Sequence, residues 1–278
     1  MVAGRPIDVT VEWTSEGAVF LSGVKVGVRT PSPDDLMDRA VAAAATADAV
    51  VLVVGTNLDW ETEGRDRESM DLPGGQPELI RRVCAANGRT VVVVNSGSVV
   101  TSDWAEVAPA VLQAWFGGQE MADALVDVLV GDDEPSGRLP TTMPHRLEDT
   151  PAFLSYPGEN GRVVYSEGLF TGYRWYEARR LPVAFPFGHG LGYTSFTWGE
   201  PVLGGIPSIS ELEAGTGVTV TVPVTNNGDR AGSEVVQCYV APVSPRLTRP
   251  VRELQGFAKV RLEPGATADV VVGLDHRA

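Results

Sequence analysis

The chain has 278 residues and a formal net charge of −14, and 43% of its residues are hydrophobic. At roughly 150 residues per domain it has room for about two domains, and the apolar content supplies a core, which excludes global disorder. So acidic a chain, with no basic stripe, is a poor fit to nucleic acid, and its longest apolar run, Ala40–Val54, is broken by Thr46 and Asp48 and excludes a membrane span there.

The first thirty residues read as β: Asp8–Trp13 alternates polar and apolar, and Ala18–Leu21 follows a glycine-containing turn. Two short strands cannot stand alone in water, so they read as the tail of something larger. Ser32, followed by Pro33, Asp34 and Asp35, is an N-cap signal for a helix whose inward face is Leu36, Met37, Ala40, Val41 and Ala44. Val50–Val54 is a continuous apolar run of the kind found in buried parallel strands. A second helix is predicted over Gln76–Ala86, with Leu79, Ile80 and Val83 inward and Gly88 at its end. Thr90–Val94 is the next strand, Asp103–Ala108 a short helix behind Ser102, Ala110–Trp115 a third strand, and Gln119–Val130 a third helix closed by Gly131. This alternation predicts a parallel sheet covered by helices.

Residues 132–197 are rich in Pro, Gly and aromatics, and are expected to form long packed loops with no long helix. From Val218 onward the pattern is all β. Val218–Thr225 is expected to pair with Glu234–Val240 through a turn at Asn226–Asp229, and Leu254–Val260 and Ala268–Val272 follow across a turn at Glu263–Gly265. The fold class is therefore a parallel α/β domain followed by a partial β-sandwich. A fibronectin-like sandwich needs about seven strands, more than the four or five found here.

The densest polar cluster is Trp60–Glu68, which begins six residues after Val54. Ligands of open α/β sheets gather at the carboxyl ends of strands, where this loop must lie. Glu61 and Glu63, beside Trp60, suit a sugar site: the indole offers an apolar face to a pyranose, and a carboxyl group against apolar surface can serve as a proton donor. The competing reading is a solvated loop in which Arg65 and Arg67 pair with Asp66 and Glu68.

The stretch ETEGRDRESMDLPGGQPELI resembles the C-terminal domain of glycoside hydrolase family 3, the β-glucosidase family. The resemblance continues through VVVVNSGSVV, VLQAWFGGQEMADALVDVLVGDDEPSGRLPTTMP, RVVYSEGLFTGYRWYE and VAFPFGHGLGYTSF. It then runs into VVQCYVAPVSPRLTRPVRELQGFAKVRLEPG, which is similar to that family's fibronectin type III-like domain. It implies a β tail of an inserted lectin-like barrel over 1–30, the family's α/β domain over 31–198, and an incomplete fibronectin type III-like domain over 199–278, in a chain truncated at both ends.

The resemblance also implies chemistry. Family members are retaining exo-glycosidases with two carboxylates. The acid/base is the Glu of an E-G-x-D-R motif, which here is Glu63-Gly64-Arg65-Asp66-Arg67; Glu61 is the runner-up, and Trp60 and Glu61 are expected to touch substrate. Asp66 and Arg67 are expected to hold the loop. The nucleophilic Asp belongs to a (β/α)8 barrel in a motif like S-D-W. Ser102-Asp103-Trp104 matches those letters but follows the second strand of the α/β domain, so Asp103 reads as a helix-start residue. The nucleophile must then come from a barrel domain or chain outside these residues, and the isolated chain is expected to be inactive.

Other candidates carry less. Gly188–Gly192 mimics a phosphate loop without the strand and helix that one requires, so His189 reads as structural. Cys84 and Cys238 read as buried free thiols and not as a disulfide framework, and three widely spaced histidines do not make a zinc site. Trp115, Phe116 and Trp175 read as packing residues, and Asn95 and Ser96 face the site by position alone. The expected substrate is an oligosaccharide or glycoside. No metal, organic cofactor, nucleic-acid or membrane partner is expected, and with no signal segment after Met1 the expected location is cytoplasmic. Two alternatives stay open: a non-catalytic carbohydrate-binding or assembly module, and a flavodoxin-like nucleotide binder, against which the lack of a glycine-rich loop after Val54 argues.

Overall fold

The computed structural model describes residues 8–14, 24, 26–27 and 33–275. The first helix, α1 (Leu36–Thr46), starts after Asp35; Ser32 lies outside the described residues, as does Ala18–Leu21. Residues 8–14 are exposed and form no strand, contrary to the alternation of Asp8–Trp13. Alternation marks one side of a ladder, and no partner strand stands beside it among the described residues. The inward stripe of α1 is narrower than its composition suggests. Met37, Val41 and Ala44 are covered, whereas Leu36 and Ala40 face solvent.

Strand β1 (Val50–Gly55), helix α2 (Gln76–Ala86), strand β2 (Thr90–Asn95) and strand β3 (Ala110–Gln113) build a parallel sheet in the order β1-β2-β3. Val50 pairs with Thr90, and Val91 with Ala110. Its core joins Val54, Leu72, Ile80, Cys84, Val92, Val94, Val100 and Trp104. β1 is an edge strand. Val51 and Val53 are exposed on the face opposite Val54, so the continuous run of valines is buried on one side only among the described residues. Helix α2 ends at extended Asn87, not at Gly88. The Asn87 amide donates to the carbonyls of Ala44 and Ala47 at 2.9 and 2.8 Å and ties the end of α1 to that of α2.

A 3-10 turn, Asp103–Val107, precedes β3; Ser102 precedes it without capping it. β3 stops short of Trp115, which adopts a left-handed φ of 55° that a strand cannot contain. Helix α3 (Met121–Val130) closes on left-handed Gly131, whose N–H reaches the carbonyls of Asp127 and Val128, as its sequence implies. The 132–197 segment is mainly loop without a long helix, as its composition suggests, and holds the short helix α4 (Tyr173–Arg179); residues 153–172 are largely exposed and not packed.

The C-terminal unit is a sandwich. Strands β4 (Phe196–Trp198) and β5 (Val202–Leu203) share one edge of β6 (Val218–Asn226), and β9 (Thr267–Leu274) takes the other. Strands β7 (Gly232–Val240) and β8 (Glu253–Leu262) form the second sheet. Between β5 and β6, Ser208 and Glu211 close a capping box on helix α5 (Ile209–Glu213). The expected β6–β7 hairpin does not exist, because the chain crosses from one sheet to the other at Asn226. The fully buried Asn226 amide donates to the carbonyls of Arg230 and Leu262, and its oxygen accepts from Thr194 Oγ1 and the Gly228 N–H. That corner satisfies the polar groups a hairpin ladder would have satisfied. Among the described residues, no helix is long and apolar enough to cross a membrane.

The two units are joined by charged and polar contacts. Arg138 pairs with Glu234 at 2.5 Å, Arg174 with Glu253 at 3.1 Å and Arg252 with Glu177 at 2.5 Å. Buried Glu134, just after α3, accepts the backbone N–H groups of Tyr193 and Ser233.

Candidate active site

The loop after β1 leaves the sheet at its carboxyl edge. Gly55 lies so close to β2 that a Cβ there would stand 1.8 Å from the Asn95 carbonyl oxygen, so only glycine fits. Thr56 donates its N–H to that same carbonyl. The N–H groups of Trp60 and Glu61 both bond to the Asn57 carbonyl, which coils the chain. Thr62 and Arg65 then form an antiparallel bridge, which puts Glu63 and Gly64 at the tip of a tight turn.

The two candidate carboxylates have opposite environments. Glu61 Oε1 accepts from Thr56 Oγ1 and Arg67 Nη1, both at 2.9 Å, and from Ser98 Oγ at 3.3 Å. Arg67 also donates to Ser98 Oγ at 3.0 Å and to the Val99 carbonyl at 2.7 Å, clamping the loop to the segment after β2. Glu61 Oε2 packs over Gly97, where a Cβ would stand 2.4 Å from it. Both partners of the Glu61–Arg67 pair are largely covered. Glu63 is exposed, and among the described residues it has no hydrogen-bond or ion-pair partner.

The remaining loop residues also differ from the solvated-loop reading. Arg67 pairs with Glu61 and not with Asp66 or Glu68. Arg65 donates to the Asp59 carbonyl, and Asp66 accepts from the Tyr156 hydroxyl, contributed from ninety residues downstream. That hydrogen bond is the main cause pushing the Tyr156 phenol above its ordinary range. No local signal in the sequence marks Tyr156, Thr56 or Ser98 as members of this cluster.

Trp60 is half-buried, and its Nε1–H is enclosed without a partner among the described residues; so is Asn95 Oδ1 at the end of β2. Enclosed polar atoms without partners are rare in folded proteins, and both lie at the carboxyl edge of the sheet. Ser96 is spent: its hydroxyl donates to the Ser98 carbonyl and accepts from Gln113 Nε2.

The other candidates are structural. Asp103 heads its 3-10 turn and pairs with Arg81 at 2.5 Å. Cys84 sits in the sheet core, where burial raises its thiol. His189 packs against Phe185, and burial followed by the Arg138 charge lowers its imidazole. Trp175 donates to the Asp149 carbonyl under the Arg179 guanidinium, and Phe116 crowds Gly97. Among the described residues, no group of three or more His, Cys, Asp or Glu side chains could hold a metal.

The contrast between the carboxylates makes an expected outcome. Glu61→Ala leaves the Arg67 guanidinium largely covered and unpaired, and should cost about 3 kcal/mol in urea denaturation. Glu63→Ala should stay within about 0.5 kcal/mol, as exposed unpartnered positions do. Equal losses at the two positions would contradict these environments.

The family model for the glycosyl hydrolase family 3 C-terminal domain matches residues 6–193, and that for a fibronectin type III-like domain matches residues 234–278. A β-glucosidase from Rhizobium radiobacter is 46% identical over 99% of this chain, which covers 34% of that protein. The crystal structure of a β-glucosidase from Kluyveromyces marxianus in complex with glucose superposes with a TM-score of 0.81 at 44% identity, over 89% of this chain and 29% of that one. A Bifidobacterium adolescentis GH3 β-glucosidase gives 0.82 at 39% identity, over 89% of this chain and 36% of that one. The chain spans about a third of the length of the curated relatives it matches. By these matches and by its fold, the chain belongs to glycosyl hydrolase family 3, of which it carries the C-terminal α/β domain and a fibronectin type III-like domain.

Proposed function

We propose that this chain supplies the proton-transfer half of a retaining β-glucoside hydrolase, with Glu63 as the general acid/base. The observation that carries this reading is the contrast in the loop: Glu63 stands free at the tip of the turn, while Glu61 is tied by Arg67, Thr56 and Ser98. A group that must give a proton to a leaving oxygen and later take one from water needs free access and unspent lone pairs. Glu61, Arg67 and Asp66 shape the loop, the last through Tyr156. Trp60 offers the reacting sugar an apolar face.

The substrate is a terminal β-linked glucoside. Support comes from relatives named β-glucosidase and from the glucose-bound Kluyveromyces structure. Glu63 protonates the glycosidic oxygen as the nucleophile attacks the anomeric carbon, and its carboxylate then deprotonates the water that releases the glycosyl-enzyme. A retaining pair stands about 5–5.5 Å apart. The nucleophile comes from a (β/α)8 barrel docked on the side of the Glu63 tip. Leu154, Tyr156, Val164 and Tyr165 are exposed, and the Tyr156–Asp66 hydrogen bond ties their segment to the loop.

The test is turnover of an aryl β-glucoside by the purified 278-residue chain, alone and with a barrel-bearing partner of the same family. The expected result is no turnover above buffer alone and activity on mixing. Turnover by the chain alone would overturn the division of labour, and none on mixing although the two bind would favour a non-catalytic module.

A further inference from the structure

We propose that the cleft between the two domains, remote in sequence from the loop after β1, is a second site that binds a neutral saccharide. The cleft encloses about 780 Å³ and is lined by α4, the 180–190 segment, β4, β7 and Arg252. That volume lies within the range of small-molecule sites, roughly 300–1,000 Å³.

Four of its polar groups keep unspent bonding capacity. Thr142 is 6% exposed, and its hydroxyl is enclosed without a partner among the described residues. Tyr176 is also 6% exposed, and among the described residues its hydroxyl makes no hydrogen bond; burial, and then the Asp149 charge, push this phenol up to about 12, so it stays neutral. Glu177 uses only one carboxylate oxygen. Oε1 accepts both Nε and Nη2 of Arg252, while Oε2 is enclosed with no donor. Arg180, exposed at the end of α4, has no ion-pair partner among the described residues. Enclosed polar atoms cost free energy until something bonds to them.

The mixture defines the ligand class. Two hydroxyls that can donate or accept, one acceptor and one donor match the paired character of sugar hydroxyls. An anion would meet the lone pairs of Glu177 Oε2, and a purely apolar ligand would leave Thr142 Oγ1 and Glu177 Oε2 unsatisfied. At the rim, Trp198 is 47% exposed, giving a flat apolar surface of the kind that covers the C–H face of a pyranose.

The test is isothermal titration of the 278-residue chain with cellobiose and with methyl β-glucoside. Saturable binding is expected. Trp198→Ala should weaken it about tenfold and Thr142→Val about fivefold. Tyr176→Phe, which keeps the ring, is a second near-isosteric variant with the same direction of effect should Trp198→Ala not fold. Absence of saturable binding would overturn the proposal, as would binding kept unchanged in Trp198→Ala, Thr142→Val and Tyr176→Phe. Neither result touches the acid/base assignment, which is read from hydrolysis.

Discussion

Replacing Glu63 by Ala in the assembled enzyme should slow hydrolysis of alkyl β-glucosides about 10²- to 10⁴-fold, the usual worth of a positioned general acid. Alkoxide leaving groups need the proton during bond cleavage. Activated aryl glucosides, whose phenolates depart unaided, should lose far less in the first step and accumulate the glycosyl-enzyme, because in the proposed role the same residue deprotonates the water of the second. Azide needs no base, so it should rescue turnover and leave a β-glucosyl azide that chromatography identifies. Urea denaturation should be unchanged, since the Glu63 side chain makes no hydrogen bond or ion pair among the described residues. Equal slowing of both substrate types, with no azide product, would move the proton-transfer role elsewhere in the loop.

Glu134→Ala should be the most destabilising single truncation at the domain junction, costing about 3 kcal/mol. Its carboxylate is 6% exposed and accepts the Ser233 and Tyr193 N–H groups from segments that the chain reaches only after long loops. Truncation leaves the buried Ser233 N–H without an acceptor, takes one from the Tyr193 N–H and opens space where the units meet. The surroundings are built to its shape: a Cβ at Gly232 would lie 2.6 Å from Oε1, and one at Gly192 would lie 3.0 Å from Oε2. Glu134→Gln keeps one acceptor and should lose about 1 kcal/mol, whereas Gly232→Ala should behave like the truncation. Because the contact joins the two units, the loss should appear as a split of one unfolding transition into two, followed by tryptophan fluorescence and far-ultraviolet circular dichroism. A single unshifted transition would show that Glu134 does not couple them.

Periodicity and short motifs determined a good deal about this protein without any structure. The apolar runs Val50–Val54 and Thr90–Val94, with the helical stripe of α2 between them, specify a parallel unit, because hydrophobic spacing is a direct imprint of backbone geometry. The polar cluster from Trp60 to Glu68 was assignable to the carboxyl edge of that sheet by connectivity alone, and the E-G-x-D-R letters at Glu63–Arg67 marked the family. The closing glycine of α3 was equally local. What depended on packing between distant segments was out of reach. Glu61 and Glu63 are chemically identical in the sequence, and only the fold brings Ser98 to one of them and leaves the other at a turn tip. The Asn226 turn had hairpin composition, yet the buried amide spends its bonds on Arg230 and Leu262 and sends the chain into the other sheet. Which valines of β1 are covered, what holds Asp66 and where Thr142 and Glu177 are left unsatisfied depend on partners tens of residues away. Local spacing fixes backbone geometry within an element; side-chain partnership is decided by where the elements come to rest against each other, and only the tertiary structure carries that.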